Sequence, residues 1–379
     1  MKKIRTAVFG TGFMGRIHVE GVRRLGNVEI AGVAGRTVGQ ARRFADEHAI
    51  ERAAGDYTEF LADPAIGAVH ICTPNPLHFA MARAALEAGK HVLCEKPLAA
   101  SAAEAGELVR LARAKNLANC TLYNLRCYPQ VQNMRRMCEA GELGEIRIVQ
   151  GTYSQDWLLF DTDWNWRVEA GPSRAFADIG THWCDLVEHV TGLRISAMCA
   201  DLATFHRTRR RPPGPVETFS ANAAGRSDSV ETPVTTEDFG SILFRLGETA
   251  RGALTVSQVS AGRKNRLFVE IYGSRSSLCW NAEQPDELWI GRRNEANRVL
   301  IKDPTLLGER ARSYADLPGG HSEGYDDTFK QAFRRFYRTI EDRNATIEYP
   351  TFEDGLRQMK ILDAVLESNR ARAWVDGVA

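Results

Sequence analysis

No apolar run in this 379-residue chain is long enough to span a bilayer, and its eight cysteines form no Cys-x-x-Cys pair. The first absence excludes a helical membrane anchor. The cysteines are dispersed, and several (Cys72, Cys94, Cys120) fall inside apolar strand-like runs. That pattern points to reduced, buried thiols and a cytoplasmic protein. Net charge is also missing: 49 basic against 48 acidic residues leave +1, so no global field draws the chain to nucleic acid or to an acidic membrane. The basic start Met1-Lys2-Lys3 runs into glycines without a long apolar core, and a signal peptide is not expected. No internal repeat occurs. What remains is a soluble composition, 44% hydrophobic and 26% charged. The chain is too long for one ordinary core, so two domains are the natural division.

The first part alternates. Residues 4–9 read as a buried strand, 14–25 as a helix and 28–34 as the next strand. Between the first two lies Gly10-Thr11-Gly12-Phe13-Met14-Gly15, a G-x-G-x-x-G. Gly10 allows a tight turn, Gly12 the close approach of a pyrophosphate, and Gly15 close packing of helix on strand. A strand before, a helix after and a second strand beyond make the motif informative. It predicts a dinucleotide site touched by Gly10, Gly12, Phe13, Met14 and Gly15. An acidic residue after the second strand would hold the ribose hydroxyls of NAD. Ala34-Gly35-Arg36-Thr37 offers none. Arg36 can pair with a 2′-phosphate, stack on adenine or sit solvated at a helix start. NAD is the expected cofactor, with NADP left open.

Strands at 68–73, 91–94 and 118–123, with helices at 76–88 and 102–115, continue a parallel sheet with right-handed crossovers. Thr73-Pro74-Asn75-Pro76-Leu77-His78 sits at a strand's carboxyl end, where open α/β sheets place ligands. Thr73, Asn75 and His78 are expected on the nicotinamide side. The alternative is that the prolines only stop the strand and start the helix. Leu93-Cys94-Glu95-Lys96-Pro97 lies at another carboxyl edge. Pro97 keeps Lys96 extended and gives its ammonium a fixed origin; the alternative is a surface Glu95–Lys96 pair.

The glycine turn, Thr73-Pro74-Asn75 with His78, Ala88-Gly89-Lys90-His91-Val92 and Cys94-Glu95-Lys96-Pro97 together resemble the glucose–fructose oxidoreductase, inositol dehydrogenase and rhizopine-catabolism (Gfo/Idh/MocA) family. The fold class implied is α/β. It has an N-terminal doubly wound Rossmann sheet (1–125) and a C-terminal α+β domain (126–379) for substrate binding and oligomerisation. The latter carries a large, open, mostly antiparallel sheet, and the last helix can pack back on the first domain. The resemblance also implies a nicotinamide cofactor near Glu95 and Lys96 and a sugar or polyol substrate. In such enzymes the lysine, here Lys96, binds the reacting hydroxyl and helps move its proton.

Asn124-Leu125-Arg126-Cys127-Tyr128-Pro129 is similar to the family's interdomain link. Asn124, Arg126 and Tyr128 are therefore candidate substrate contacts, with a structural hinge as the alternative. Residues 155–167 hold three of the seven tryptophans. Trp157, Trp164 and Trp166 can cover the apolar faces of a pyranose while Gln155 and Arg167 bond its hydroxyls; otherwise the aromatics only pin their own loop. The Trp166-Arg167 ending is similar to members acting on glucosides and anhydrosugars. Residues 176–191 read as a helix with an apolar stripe of Phe176, Ile179, Trp183, Leu186, Val187 and Val190. Asp178, His182, Asp185 and His189 share one polar face. Asp178-x-Gly180-x-His182 looks like the family's D-x-G-x-H motif. Gly180 is a poor mid-helix residue, tolerable if cofactor or substrate comes close. A metal is the rival reading of the four polar residues. Nothing nearby completes a ligand set, so none is expected.

Strands at 195–204, 238–246, 250–260, 266–272 and 288–291 fit an open sheet. An uncovered face would need a partner, hence a homo-oligomer, dimer or tetramer. Residues 207–213, Arg207-Thr208-Arg209-Arg210-Arg211-Pro212-Pro213, read as a solvated basic loop or subunit contact. Residues 222–231 read as a mobile polar insertion. In the loop 317–325, His321 touches substrate or caps a helix beginning near Ser322. Helices at 324–341 and 352–368 close the chain.

The chemistry expected is loss of hydride from a ring carbon of a pyranose while the attached hydroxyl loses its proton. His182 is the base, Asp178 orients it, and Lys96 hydrogen-bonds the developing oxyanion. A secondary hydroxyl, C3 in particular, is favoured by resemblance. Two rivals stand beside it: a redox-neutral NAD-dependent glycosidase working through a transient 3-keto sugar, and a non-enzymatic NAD(P)-sensing regulator. Lys96, Asp178 and His182 argue against the second, since a sensor has no need of proton-transfer groups.

Overall fold

Ala7, Val8 and Phe9 in β1 (Ile4–Phe9) have no exposed surface, as befits a strand covered on both faces. The computed structural model, which describes residues 3–214, 216 and 228–378, sets β1 at the centre of a parallel sheet. In chain order there follow α1 (Phe13–Arg23), β2 (Val28–Ala34), α2 (Val38–Glu47), β3 (Arg52–Ala54), α3 (Thr58–Leu61), β4 (Ala68–Ile71), α4 (His78–Glu87), β5 (His91–Cys94), α5 (Ala102–Ala114) and β6 (Asn119–Thr121). The sheet order is β3-β2-β1-β4-β5-β6, and every pairing is parallel. The order reverses between β1 and β4, so their carboxyl ends frame a topological switch point, where such sheets bind ligands.

The chain continues with α6 (Pro129–Glu139), β7 (Ile146–Ser154), α7 (Thr181–Thr191), β8 (Ile195–Ala203), β9 (Thr208–Arg211), β10 (Val230–Pro233), β11 (Phe239–Leu246), β12 (Ala250–Ser257), β13 (Arg266–Gly273), β14 (Ser277–Asn281), β15 (Glu287–Gly291), β16 (Arg298–Ile301) and α8 (Glu309–Arg312). It ends with α9 (Tyr325–Glu341), α10 (Phe352–Ala371) and β17 (Val375–Asp376). Nine strands form one sheet in the order β16-β15-β14-β13-β7-β12-β11-β8-β17. Only β7–β12 is parallel; the rest are antiparallel. In β11 the alternation sends Ile242, Phe244 and Leu246 inward and Ser241, Leu243 and Arg245 outward. Trp183 of α7 covers the inner face: its ring lies 5.5 Å from that of Phe244 and its indole N–H donates to the Phe268 carbonyl at 3.0 Å.

Two compact units result, Met1–Cys127 with Tyr325–Met359, and Tyr128–Gly324 with Lys360–Ala379. This differs from a single cut at 125/126, because α9 belongs with the first unit. Its strongly amphipathic pattern needs an apolar partner, and Phe333 finds one against the rings of His18 and His70, both at 4.9 Å.

Three local expectations change. Residues 207–213 are not simply a solvated loop: β9 pairs with β10, and Arg209 has no exposed surface. Residues 222–227 of the expected insertion lie outside the described residues, and its end enters β10. Residues 176–191 do not form one regular helix. Phe176–Gly180 is a π-helical turn before α7. At Gly180 a Cβ would strike the Phe176 ring, so the turn itself calls for glycine there.

Candidate active site

Gly10 follows β1 at φ +115°, and a Cβ there would meet the Cys72 carbonyl oxygen at 2.6 Å. A Cβ on Gly15 would strike the Gly10 carbonyl oxygen. A side chain at Gly10 would collide with the segment after β4, and one at Gly15 would push α1 away from the turn. At Gly12 a Cβ would meet nothing within 4 Å. Gly12 is the N-cap of α1; no side chain caps this helix, and its first turn holds no acid. Open space before an uncapped, positive helix end fits a pyrophosphate. Phe13 and Met14 begin α1, and the Met14 side chain packs on the cluster around Val8 and Val33. Arg36 is exposed beyond β2, just before Thr37, whose hydroxyl caps α2 through the Gln40 N–H at 3.2 Å.

At the next carboxyl edge Lys96 is half-buried, and the Lys96–Pro97 peptide is cis. Glu95, placed by resemblance at the cofactor, turns instead into the core. Its Oε1 meets His18 Nε2 at 3.0 Å, and its Oε2 accepts the Lys96 backbone N–H at 3.3 Å. A buried carboxylate needs such donors. The chain of contacts goes on: His18 Nδ1 lies 2.9 Å from His70 Nδ1, and His70 Nε2 lies 2.8 Å from the Tyr337 hydroxyl. His18, His70 and Tyr337 have no exposed surface. Every ring nitrogen of the two histidines thus has a polar partner, and the contacts run unbroken from Tyr337 to Glu95. The sequence offered a signal that went unused: His70 stands in an all-buried strand and must have a polar partner.

His78 also differs from expectation. It is fully buried, with Nε2 2.8 Å from the Thr73 carbonyl and Nδ1 2.7 Å from the Pro97 carbonyl. Its ring lies between the loop after β4 and the segment after Lys96, and a neutral ring donates to one of these two carbonyls. Thr73 and Asn75 remain half-buried on that loop, Asn75 opening a 3₁₀ turn (Asn75–Leu77). Asn124, expected at substrate, is buried and donates to Thr328 Oγ1 of α9 at 2.8 Å. Arg126 bonds Asp354 of α10 at 2.8 Å.

The second unit gathers its own cluster. Arg167 lies over the Trp166 ring at 4.5 Å and near that of Trp157 at 5.9 Å. Its Nε donates to Asp178 Oδ1 at 3.2 Å, and Gln258 Nε2 donates to Oδ2 at 2.9 Å. The His182 ring stands 6.4 Å from that of Tyr153. Burial, aided by the Asp178 charge, raises the Tyr153 phenol above its ordinary value. Gln155 bonds within the cluster. Its Oε1 accepts the Trp157 indole N–H at 2.8 Å, and its Nε2 donates to Asn265 Oδ1 at 2.8 Å, which also accepts the Tyr153 hydroxyl at 3.0 Å. Tyr153, Gln258 and Asn265 were not picked out from the sequence. Trp164 is a core residue, packed with Leu158, Val168 and Val234; it pins the loop and is no sugar platform. Tyr128 is buried against Trp280, with ring centroids 5.3 Å apart. His321 is exposed, its Nδ1 3.3 Å from the Gly319 carbonyl oxygen, and the following helix starts at Tyr325. Among the described residues no three His, Cys, Asp or Glu side chains could hold a metal.

Residues 4–123 match the oxidoreductase family with an NAD-binding Rossmann fold, and residues 131–279 match the GFO/IDH/MocA C-terminal domain. The chain belongs to the Gfo/Idh/MocA family. Levoglucosan dehydrogenase of Pseudarthrobacter phenanthrenivorans is 30% identical to it, over 99% of this chain and 98% of that protein. A structure of levoglucosan dehydrogenase with NADH and levoglucosan superposes at TM-score 0.88 with 28% identity over 99% of both chains. An inositol dehydrogenase homologue from Azotobacter vinelandii, bound to NADH and myo-inositol, gives 0.85 with 27% identity, over 99% of this chain and 98% of that one. This Gfo/Idh/MocA protein is accordingly an oxidoreductase of an NAD-dependent sugar dehydrogenase family, and NAD is its cofactor.

Two predictions arise from these surroundings. Burial holds the family member's His70 well below 6.5, lowers His78, and takes His91 down to about 4. The unfolded chain therefore binds protons that the folded one refuses. Stability is whole above pH 6.5 and falls as pH drops from there towards 4, by up to about 1.4 kcal/mol per pH unit for each histidine. A urea midpoint that stays flat over that interval would contradict this. The tryptophans should also separate. Trp164→Ala should cost about 3–5 kcal/mol of stability, read as a lower thermal midpoint. Trp157→Ala should chiefly raise the sugar KM.

Proposed function

We propose that the protein oxidises a secondary ring hydroxyl, C3 in particular, of a pyranose or glycoside. The observation that supports this best is the Arg167–Asp178–Gln258 knot between Trp157 and Trp166, in the same unit as His182. Aromatic faces suit the C–H faces of a pyranose, and the polar groups suit its hydroxyls. Full-length similarity to levoglucosan dehydrogenase adds weight.

NAD, held by the Gly10–Gly15 turn, supplies the hydride acceptor when bound. His182, mostly buried, takes the hydroxyl proton, because an alcohol alone is a poor acid near neutral pH. The Asp178 charge favours the imidazolium that forms while its oxygens keep Arg167 and Gln258 in place. Lys96 donates to the developing oxyanion. Glu95, clamped by His18, fixes the peptide from which the Lys96 side chain springs. The same reading includes a homo-oligomer: Ile148 of β7 and Leu243 of β11 lie on one face of the sheet, 49% and 51% exposed. A monomer mass by light scattering would remove that part.

The test is NADH formation by the purified protein with levoglucosan, free hexoses, aryl glycosides and inositols. Turnover on pyranoses above inositols is expected. Hydrolysed glycoside without net NADH would replace this reading by the redox-neutral glycosidase. NADH binding with no turnover on any sugar would replace it by a sensor.

A further inference from the structure

Asp238, at the entry to β11, is fully buried between two guanidinium groups. Arg174 Nη2 and Arg209 Nη2 both bond its Oδ1, the latter at 2.8 Å, and all three side chains have zero exposure. Oδ2 accepts the backbone N–H of Phe205 at 2.7 Å and of His206 at 3.0 Å. Two buried cations on one carboxylate call for acceptors at their remaining donors. Both terminal nitrogens of Arg209 find them in the tryptophan loop, while its Nε and Arg174 Nη1 have no partner among the described residues. Arg209 Nη1 donates to the carbonyls of Phe160 at 2.7 Å and Asp163 at 3.1 Å, and its Nη2 to that of Leu158 at 2.9 Å. Three carbonyls between Trp157 and Trp164 thus hang on one planar fork. Apolar packing cannot aim carbonyls, and a lysine has no rigid fork with which to do it.

The neighbouring Glu237 treats the other half of the cluster in the same way. Its carboxylate accepts from the Ser173 hydroxyl at 2.7 Å, the Arg174 N–H at 3.1 Å and the Phe176 N–H at 2.8 Å. Those groups open the π turn that presents Asp178 and leads to His182. Arg174 also donates to the Glu237 carbonyl at 3.1 Å. Both segments that carry the sugar-side residues are therefore anchored on two consecutive acids.

We infer that Glu237 and Asp238, through Arg174 and Arg209, are positioning residues that hold the tryptophan loop in register with the Asp178–His182 segment and thereby set sugar selectivity. This rests on the proposed sugar oxidation. None of the four is assigned contact with substrate. Ordering the loop in advance removes an entropic cost that binding would otherwise carry.

Arg209→Lys and Asp238→Asn test this in the full chain with NADH bound. Amide hydrogen exchange should quicken about tenfold or more over residues 157–167 and 173–182, with residues 4–34 unchanged. The sugar KM should rise about tenfold or more, while the NADH Kd moves less than about twofold. Unchanged exchange in those segments together with an unchanged sugar KM overturns the inference. Loss of protection throughout, residues 4–34 included, also overturns it, since the cluster is then a global stabiliser. If the unaltered protein oxidises no sugar, the proposed function falls and the exchange pattern alone decides whether these acids order the loop.

Discussion

Lys96→Ala should lower kcat by about 10²–10⁴-fold and leave NADH affinity nearly unchanged. The asymmetry follows from where the residue stands. The pyrophosphate is assigned, in the proposed reading, to the Gly10–Gly15 turn and the start of α1 rather than to the Lys96 ammonium. Lys96 instead rises from the carboxyl end of β5, beyond a Glu95 whose carboxylate already faces the core. In the proposed mechanism its charge meets an oxygen that becomes negative only as the hydroxyl proton leaves. An interaction made only in the transition state appears in kcat and in kcat/KM alike. Lys96→Arg keeps the charge but broadens the head, and should restore little turnover. Equal losses in turnover and in NADH binding would count against the assigned role.

His18→Ala should cost about 3–5 kcal/mol of stability, because it leaves the buried Glu95 carboxyl group with one long backbone contact. It also strips His70 of its His18 partner, and each orphaned buried group adds a penalty of about 1–3 kcal/mol. The alanine should therefore melt well below the unaltered protein. His18→Gln places an amide donor where Nε2 was and keeps the bond to Glu95 while losing that to His70, so it should recover part of the loss. Differential scanning calorimetry on the three proteins checks this. Equal midpoints for His18→Ala and His18→Gln would show that Glu95 does not depend on the donor.

Parts of this were legible in the sequence for a simple physical reason. Strands at 4–9, 28–34 and 91–94 are short apolar runs between turn signals, and the glycine turn is a local motif whose meaning does not depend on distant residues. The dispersed apolar alternation of β11 to β13 likewise announces a sheet with one covered face. What escaped was set by partners far along the chain. Arg209 sits among exposed arginines, and only Asp238, 29 residues on, says which of them turns inward. Glu95 sits beside Lys96, yet its orientation is decided by His18, 77 residues before it. The three tryptophans of 157–166 carry no local mark that separates the buried Trp164 from its half-buried neighbours. The π turn at Phe176–Gly180 was hidden because its apolar residues continue the stripe of α7, and the extra residue in the turn depends on Phe176 lying over Gly180.

Deuterium placed on C3 of an accepted pyranose tests the central claim most directly. The account predicts that the label appears on the nicotinamide ring of the NADH formed and that the sugar product is the 3-ketone. Unlabelled NADH, with the deuterium still on the sugar, would contradict it.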